Sequence, residues 1–307
     1  MTLFLAKIKP WILPIAMVCG ILFHNVIDAV QFMAPYLIFA MLLITFCRIG
    51  DSKLKFGHLT WSVVAVQIFG GILVYYLLAP VSEDLGQGTM ICVLCPTATA
   101  APVITAMLGG SIAVLISISL LSNLALSLVG PVFLAYINES QGIAISFVDS
   151  FIAILSMVAP MIIGPLAVAL ILRRITPKVH RTLAEHQSLS FFLWAISLIL
   201  VVGRAVTFAM AEPADRIPEM IWLSVGAGVV CAAQFYVGRK LGTRMGDRIA
   251  GAQGLGQKNT VLAVWLATTY LNPISSIAPA AYIAWQNTIN SLQIYRKQKR
   301  ELASRAA

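Results

Sequence analysis

Apolar runs about twenty residues long recur from one end of this chain to the other, and nothing limits its fold more than they do. A helix of roughly 20 apolar residues crosses a hydrocarbon core about 30 Å thick. Ten such runs can be drawn, near 10–27, 29–47, 58–79, 86–108, 111–137, 147–173, 188–210, 219–238, 249–271 and 273–295. Of the 307 residues only 11% are charged and 59% are hydrophobic, whereas a soluble domain carries about 25% charged residues. The expected fold is therefore an all-α polytopic membrane protein with no soluble domain. The first run follows Lys7 and Lys9 as a signal sequence would, but no small-x-small cleavage site is evident. It is read as a retained helix.

The charges are sorted by loop. With the N-terminus placed in the cytoplasm, the cytoplasmic segments hold Lys7 and Lys9; Arg48, Lys53 and Lys55; Arg173, Arg174, Lys178 and Arg181; Arg239, Lys240, Arg244 and Arg248; and Arg296, Lys297, Lys299, Arg300 and Arg305. That is 18 of the 21 lysines and arginines. The opposite loops hold only Arg216, among Asp28, Glu83, Asp84, Glu139, Asp149, Glu212, Asp215 and Glu219. This is the positive-inside pattern. It predicts ten spans with both termini cytoplasmic and suits a bacterial inner membrane. It also explains the net charge of +9 as topology, so a nucleic-acid partner is not expected.

Two basic residues remain inside spans. Arg204 is about six residues from the outer end of its helix, ~9 Å at 1.5 Å per residue, and can snorkel to the interface. Lys258 is about ten residues from Arg248, hence ~15 Å deep and near the midplane. A charge there costs at least ~2.5–3.5 kcal/mol on insertion scales. Water, a partner or a bound anion has to offset it. Lys258 belongs to Gly251-Ala-Gln-Gly-Leu-Gly-Gln-Lys-Asn-Thr260. A polar, glycine-rich stretch at membrane depth survives where it is buried in protein or lines a wet cavity.

A second unusual stretch lies in span four: Ile91-Cys-Val-Leu-Cys-Pro-Thr-Ala-Thr-Ala-Ala-Pro102. Pro96 and Pro102 each remove a backbone donor and disturb the carbonyl one turn earlier. Thr97 and Thr99 are candidate partners for the freed groups, and a merely kinked helix is the plainer alternative. Spans four and nine are each the fourth helix of a five-helix half, and an odd number per half makes the halves inverted. The first repeat is placed at 1–140 and the second at 141–307. Interrupted helices at corresponding positions of inverted halves point to a transporter site at the midplane.

The five cysteines, Cys19, Cys47, Cys92, Cys95 and Cys231, all lie in apolar runs, which disfavours a disulfide framework. Cys92 and Cys95 have metal-like spacing but no nearby histidine, so packing is the reading. No nucleophile–base pair or metal set is present, and an enzyme is not expected. No cofactor is expected either.

Four segments resemble the bile acid:sodium symporter family. Cys95-Pro-Thr-Ala-Thr-Ala-Ala-Pro-Val-Ile-Thr105 is similar to its Cys-Pro-Gly-Gly-Thr-Ala-Ser-Asn signature. Gln253-Gly-Leu-Gly-Gln-Lys258 is similar to its Glu-x-x-x-Gln-Asn segment. Gln67 stands where the family keeps a glutamine in its third span, and Trp285-Gln-Asn-Thr-Ile-Asn-Ser-Leu292 resembles its last-helix motif. The resemblance runs the length of the chain and suggests a divergent, bacterial-type member. It implies a panel domain of spans 1, 2, 6 and 7 and a core domain of spans 3–5 and 8–10, with spans four and nine unwound and crossing. It implies small organic anions or bile-acid-like acids as substrates, taken up with sodium. The departures fall on the sodium ligands. The family's Ser-Asn is Ala101 and Pro102 here, its shared Glu is Gln253, and a span-five ligand is Leu115. Gln67, Ser119, Gln253 and Gln257 are left as a remnant of the cation site. Hard cations bind through several oxygens, usually with a carboxylate. An ammonium ~5 Å away would oppose sodium by roughly 3 kcal/mol at an effective dielectric of ~20.

The expectation is a sodium-independent secondary transporter of small organic anions working by alternating access. Its substrate carboxylate would meet helix N-termini and Lys258, with Thr99, Gln257, Asn259, Asn123 and Asn287, and the hydroxyl of Ser119, supplying hydrogen bonds. Lys258 is also a candidate for proton coupling. Its structural alternative is a lysine bonded to carbonyls that only holds the crossover together. The glutamines and Asn259 have a similar alternative, as partners of unwound backbone. Two other functional readings stand: a sodium-coupled symporter with one residual site, and a ligand sensor on a transporter fold. Beyond a small organic anion and the bilayer, no obligate protein partner is evident.

Overall fold

The structure is a computed structural model that describes residues 15, 16, 18–49, 54–98, 101–140, 146–185 and 187–306. The start of the first predicted span and Thr99 lie outside these residues. The described chain is helical, and its one strand-like feature is a single antiparallel bridge between Thr97 and Lys258.

The helices follow the apolar runs. After the short helical turns of 24–33 come α1 (Ala34–Ile49), α2 (His58–Leu78), α3 (Glu83–Leu94), α4 (Ala101–Leu108), α5 (Ile112–Ser140) and α6 (Phe147–Ile175). Then follow α7 (Pro177–Glu185), α8 (Gln187–Ala211), α9 (Ile217–Arg244), α10 (Arg248–Gly256), α11 (Thr260–Tyr270) and α12 (Ile277–Ala306). Among the described residues, four helical stretches are by themselves long and apolar enough to cross a membrane: α2, residues 112–139 of α5, α6, and 214–244 including α9. The molecule is a polytopic helical membrane protein. The short α7 is polar and largely exposed.

Span four is two helices, α3 and α4, and span nine is two helices, α10 and α11. Each half-helix is too short to cross alone, which is why neither pair is among those four stretches. The α10–α11 pair is the most buried part of the chain: every residue from Ala250 to Thr268 is buried. The glycine-rich stretch is therefore packed in protein. Its glycines serve close approach. A Cβ on Gly238 of α9 would run into the carbonyl of Gly251 in α10, and one on Gly251 would run into the carbonyl of Gly238. Gly242 meets the carbonyl of Asp247 in the same way. Gly238 and Gly242 thus form a small-xxx-small face that lets α10 lie against α9.

Two packing groups are visible. α1 packs against α6, α7 and α8. α3 packs against α2, α9 and α12, while α10 packs against α9, α5 and α2. The groups are joined by α11, with contacts to α3, α8 and α12, and by α5, which packs along α6. Away from the basic end, Arg216 donates to Asp84 and Glu219, each at 2.5 Å. Ser82 Oγ donates to Glu219 at 2.9 Å, so this cluster ties the entry of α3 to the entry of α9. Arg204 stacks over the Phe208 ring at 5.5 Å.

Candidate functional site

The two interruptions meet. α3 stops because Pro96 follows Cys95. Proline has no N–H, and it forces the preceding residue to extended backbone; Cys95 has φ −59° and ψ 146°. Pro102 disturbs nothing comparable, since it occupies the first turn of α4, where a missing N–H has no intrahelical partner to lose. α10 ends without a proline. Gln257 is extended, and Asn259 starts α11 by capping it, its side chain accepting from Leu262 N at 3.2 Å. Between the breaks the chains cross as two facing strand residues. Ala98 N donates to Gln257 O at 2.9 Å, and Asn259 N donates to Pro96 O at 2.8 Å.

A helix end leaves carbonyls without partners, and buried ones must find donors. At the end of α3 every carbonyl from Cys92 to Pro96 has one. Cys92 O accepts from Gln234 of α9 at 3.4 Å, and Leu94 O accepts from Gln67 of α2 at 2.8 Å. Val93 O and Cys95 O both accept from Lys258 Nζ, at 2.7 and 2.9 Å. Pro96 O takes the Asn259 N–H already described. Lys258 is 1% exposed, and its backbone N–H donates to Gln286 Oε1 at 2.9 Å. Among the described residues it forms no ion pair. Its ammonium sits at the carbonyl end of α3, the negative end of the helix dipole. At the end of α10 the donors are neutral: Thr97 Oγ1 gives to Gly254 O at 2.7 Å, and Tyr282 OH gives to Gly256 O at 2.8 Å.

The other predicted residues divide. Gln67, Gln257 and Asn259 join Lys258 at the crossing through the contacts above, Gln257 by its backbone. Thr97, expected to partner its own break, serves the other one. Gln253 is buried in α10 and donates to Asn290 Oδ1 at 3.1 Å and to Gln293 Oε1 at 3.4 Å. Asn123 turns back on its own helix, donating to Ser119 O at 2.7 Å, and Asn287 does the same to Ile283 O at 2.6 Å. Thr99 lies outside the described residues. Leu115 packs with Ala98 and Ala101 in a small apolar cluster.

Sequence reading missed Gln234, Tyr282, Gln286 and Asn290, all buried and all partners of the crossing or of Gln253. Their signal was present, since each is a polar group inside an apolar span, but a search for charges passes over uncharged amides and phenols. Several buried amide oxygens have no donor: Gln67 Oε1, Asn123 Oδ1, Gln253 Oε1 and Gln257 Oε1.

The fold and site thus define a class: a helical membrane protein built around two paired, internally broken helices. No protein-family model matches the chain. The chain is similar to an uncharacterised sodium-dependent transporter of Bacillus subtilis (strain 168), YocS, at 23% identity over 246 residues, covering 74% of this chain and 72% of that protein.

Proposed function

We propose that this protein is a secondary transporter of small organic anions, related to the bile acid:sodium symporters, in which the Lys258 ammonium takes the place of a bound cation. The observation that carries the reading is the position of Lys258 Nζ, held by two carbonyls of the broken helix at 2.7 and 2.9 Å. Carbonyl oxygens at a helix end are what a bound sodium would use, and a tethered cation satisfies them without one. Ala101 and Leu115, which stand where the resemblance would place further ligands, pack with Ala98 in an apolar cluster, which supports loss of a sodium site.

The geometry changes the part given to Lys258. With its ammonium on carbonyls, it is a positioning residue that pins the two breaks together. The substrate carboxylate would then rely on helix N-termini facing the crossing, where free N–H groups and the dipole favour anions. Alternating access would move the group of α1, α6 and α8 against the rest around this fixed crossing. The protein would lie in a bacterial inner membrane with its basic end, and both termini, in the cytoplasm.

A second reading is favoured by a specific observation. Of the two helices that stop at the crossing, α3 has a charged donor on its last carbonyls and α10 has neutral ones, while Gln253 and Gln257 at the end of α10 keep side-chain oxygens without donors. One residual sodium site there would make the protein a symporter, in keeping with the sodium dependence in the name of the Bacillus relative. The test is uptake of labelled carboxylates into proteoliposomes in sodium and in choline. Equal uptake supports the sodium-free carrier. Uptake that requires sodium supports the second reading. Binding of an acid without uptake would point to a sensor and overturn both.

A further inference from the structure

The basic end of the molecule holds a cavity of about 530 Å3 between the ends of α4, α9 and α12 and the turn into α10. Its polar lining is Arg239, Asp247, Arg248, Gln293, Arg296 and Lys297. Asp247 lines the cavity but, among the described residues, forms no ion pair with the arginines. Its Oδ1 accepts from Ile249 N and Ala250 N at 3.1 and 2.8 Å, and its Oδ2 accepts from Ser111 N at 2.7 Å. Lys297 Nζ donates to Met107 O at 2.8 Å. Among the described residues Arg239, Arg248 and Arg296 have no carboxylate within ion-pair distance. Arg248 and Arg296 are nonetheless close enough to Arg239 for their charges to act on it. Gln293 accepts from Gln253 through Oε1, and its buried Nε2 has no acceptor.

Three guanidiniums and an unused amide donor around one cavity call for an acceptor-rich anion. Arginine forks match phosphate oxygens in pairs. A second concavity of about 300 Å3 shares Arg239 and Arg248 and extends to Tyr236 and Lys240. Lys240 Nζ lies 4.6 Å over the Tyr236 ring, and Tyr236 is 58% exposed on the outer side of α9. An aromatic ring beside basic residues at the end of a spanning helix is the setting of a lipid interface. Basic pockets between spanning helices hold anionic headgroups.

We propose that these joined concavities bind the phosphate of an anionic phospholipid headgroup, with Arg239, Arg248 and Arg296 on the phosphate and Tyr236 beside the glycerol. A bound headgroup would tie α9, α10 and α12 together at the end of α10 remote from the crossing. The proposal does not depend on what the protein transports.

The test uses the full chain, delipidated in a neutral detergent. Phosphatidylglycerol, phosphatidylcholine or inorganic phosphate is added, and the melting temperature and lipid retention in native mass spectrometry are read. Phosphatidylglycerol is expected to raise the melting temperature by several degrees and phosphatidylcholine not to. The Arg239→Gln/Arg296→Gln double variant is expected to bind at least tenfold more weakly. An Arg239→Lys/Arg296→Lys variant keeps the charge and loses the fork, so it should fall between the two and serve if the glutamine variant does not fold. Competition by millimolar phosphate would support the phosphate site. Stabilisation by phosphate alone would overturn the lipid as occupant. Equal response to both lipids, or binding undiminished in both variants, would overturn the site.

Discussion

The two helix breaks face each other across the crossing and are held in different ways. The break after α3 is written locally, because Pro96 makes it unavoidable, and its freed carbonyls draw donors from α2, from α9 and from the second break. One of those donors is a charge. The break after α10 has no proline and glycine on its helical side, and its carbonyls are met by the hydroxyls of Thr97 and Tyr282 and by the crossing backbone. The first break is thus a feature of its own sequence, completed by a cation. The second is imposed by what it pairs with. A single lysine serves one negative helix end and leaves the other to neutral groups, which is where a sodium-coupled and a sodium-free carrier would differ.

The sharpest way to break this comparison is Lys258→Met, which keeps the volume and removes the donor. Two buried carbonyls would be left unpaired at about 1–3 kcal/mol each, so a loss of about 2–6 kcal/mol is expected, read as the largest fall in melting temperature of any variant here. Transport should be lost with it. A fall no greater than that of Tyr282→Phe would show that the charge adds nothing over a neutral donor.

Gly251→Ala comes next. Its methyl would meet the Gly238 carbonyl and push α10 from α9, at about 1–3 kcal/mol for overpacking. Gly57→Ala is the control: a Cβ there meets nothing within 4 Å, and its melting temperature should match the wild type.

Tyr282→Phe removes the donor to Gly256 O and the acceptor of Gln234 Nε2. A loss of about 1–2 kcal/mol is expected, smaller than for Lys258→Met if the second break is the less demanding one. A simultaneous gain in sodium sensitivity of the melting temperature would place a cation at that helix end.

The smallest effect is expected far from both breaks. Arg181→Gln removes the i,i+4 pair with Glu185 on the exposed α7, and such exposed pairs contribute about 1 kcal/mol or less. Its melting curve should move by little and lose its dependence on salt.

Much of this is legible in the amino-acid sequence. The apolar runs fix a helical membrane protein because a backbone in lipid must satisfy its own hydrogen bonds. Pro96 and the glycine-rich segment mark where two helices break, and the depth of Lys258 marks it as needing a partner. Sequence could not say which partner. An ammonium at the midplane can be met by an anion, by water or by carbonyls, and the choice rests on where Val93 and Cys95 lie after folding. Nor could sequence show that Gly251 serves contact with Gly238, or that Asn123 and Asn287 bond their own helices. Local chemistry sets where a helix must stop, while the groups that complete a stopped helix come from distant parts of the chain, so only the tertiary structure names them.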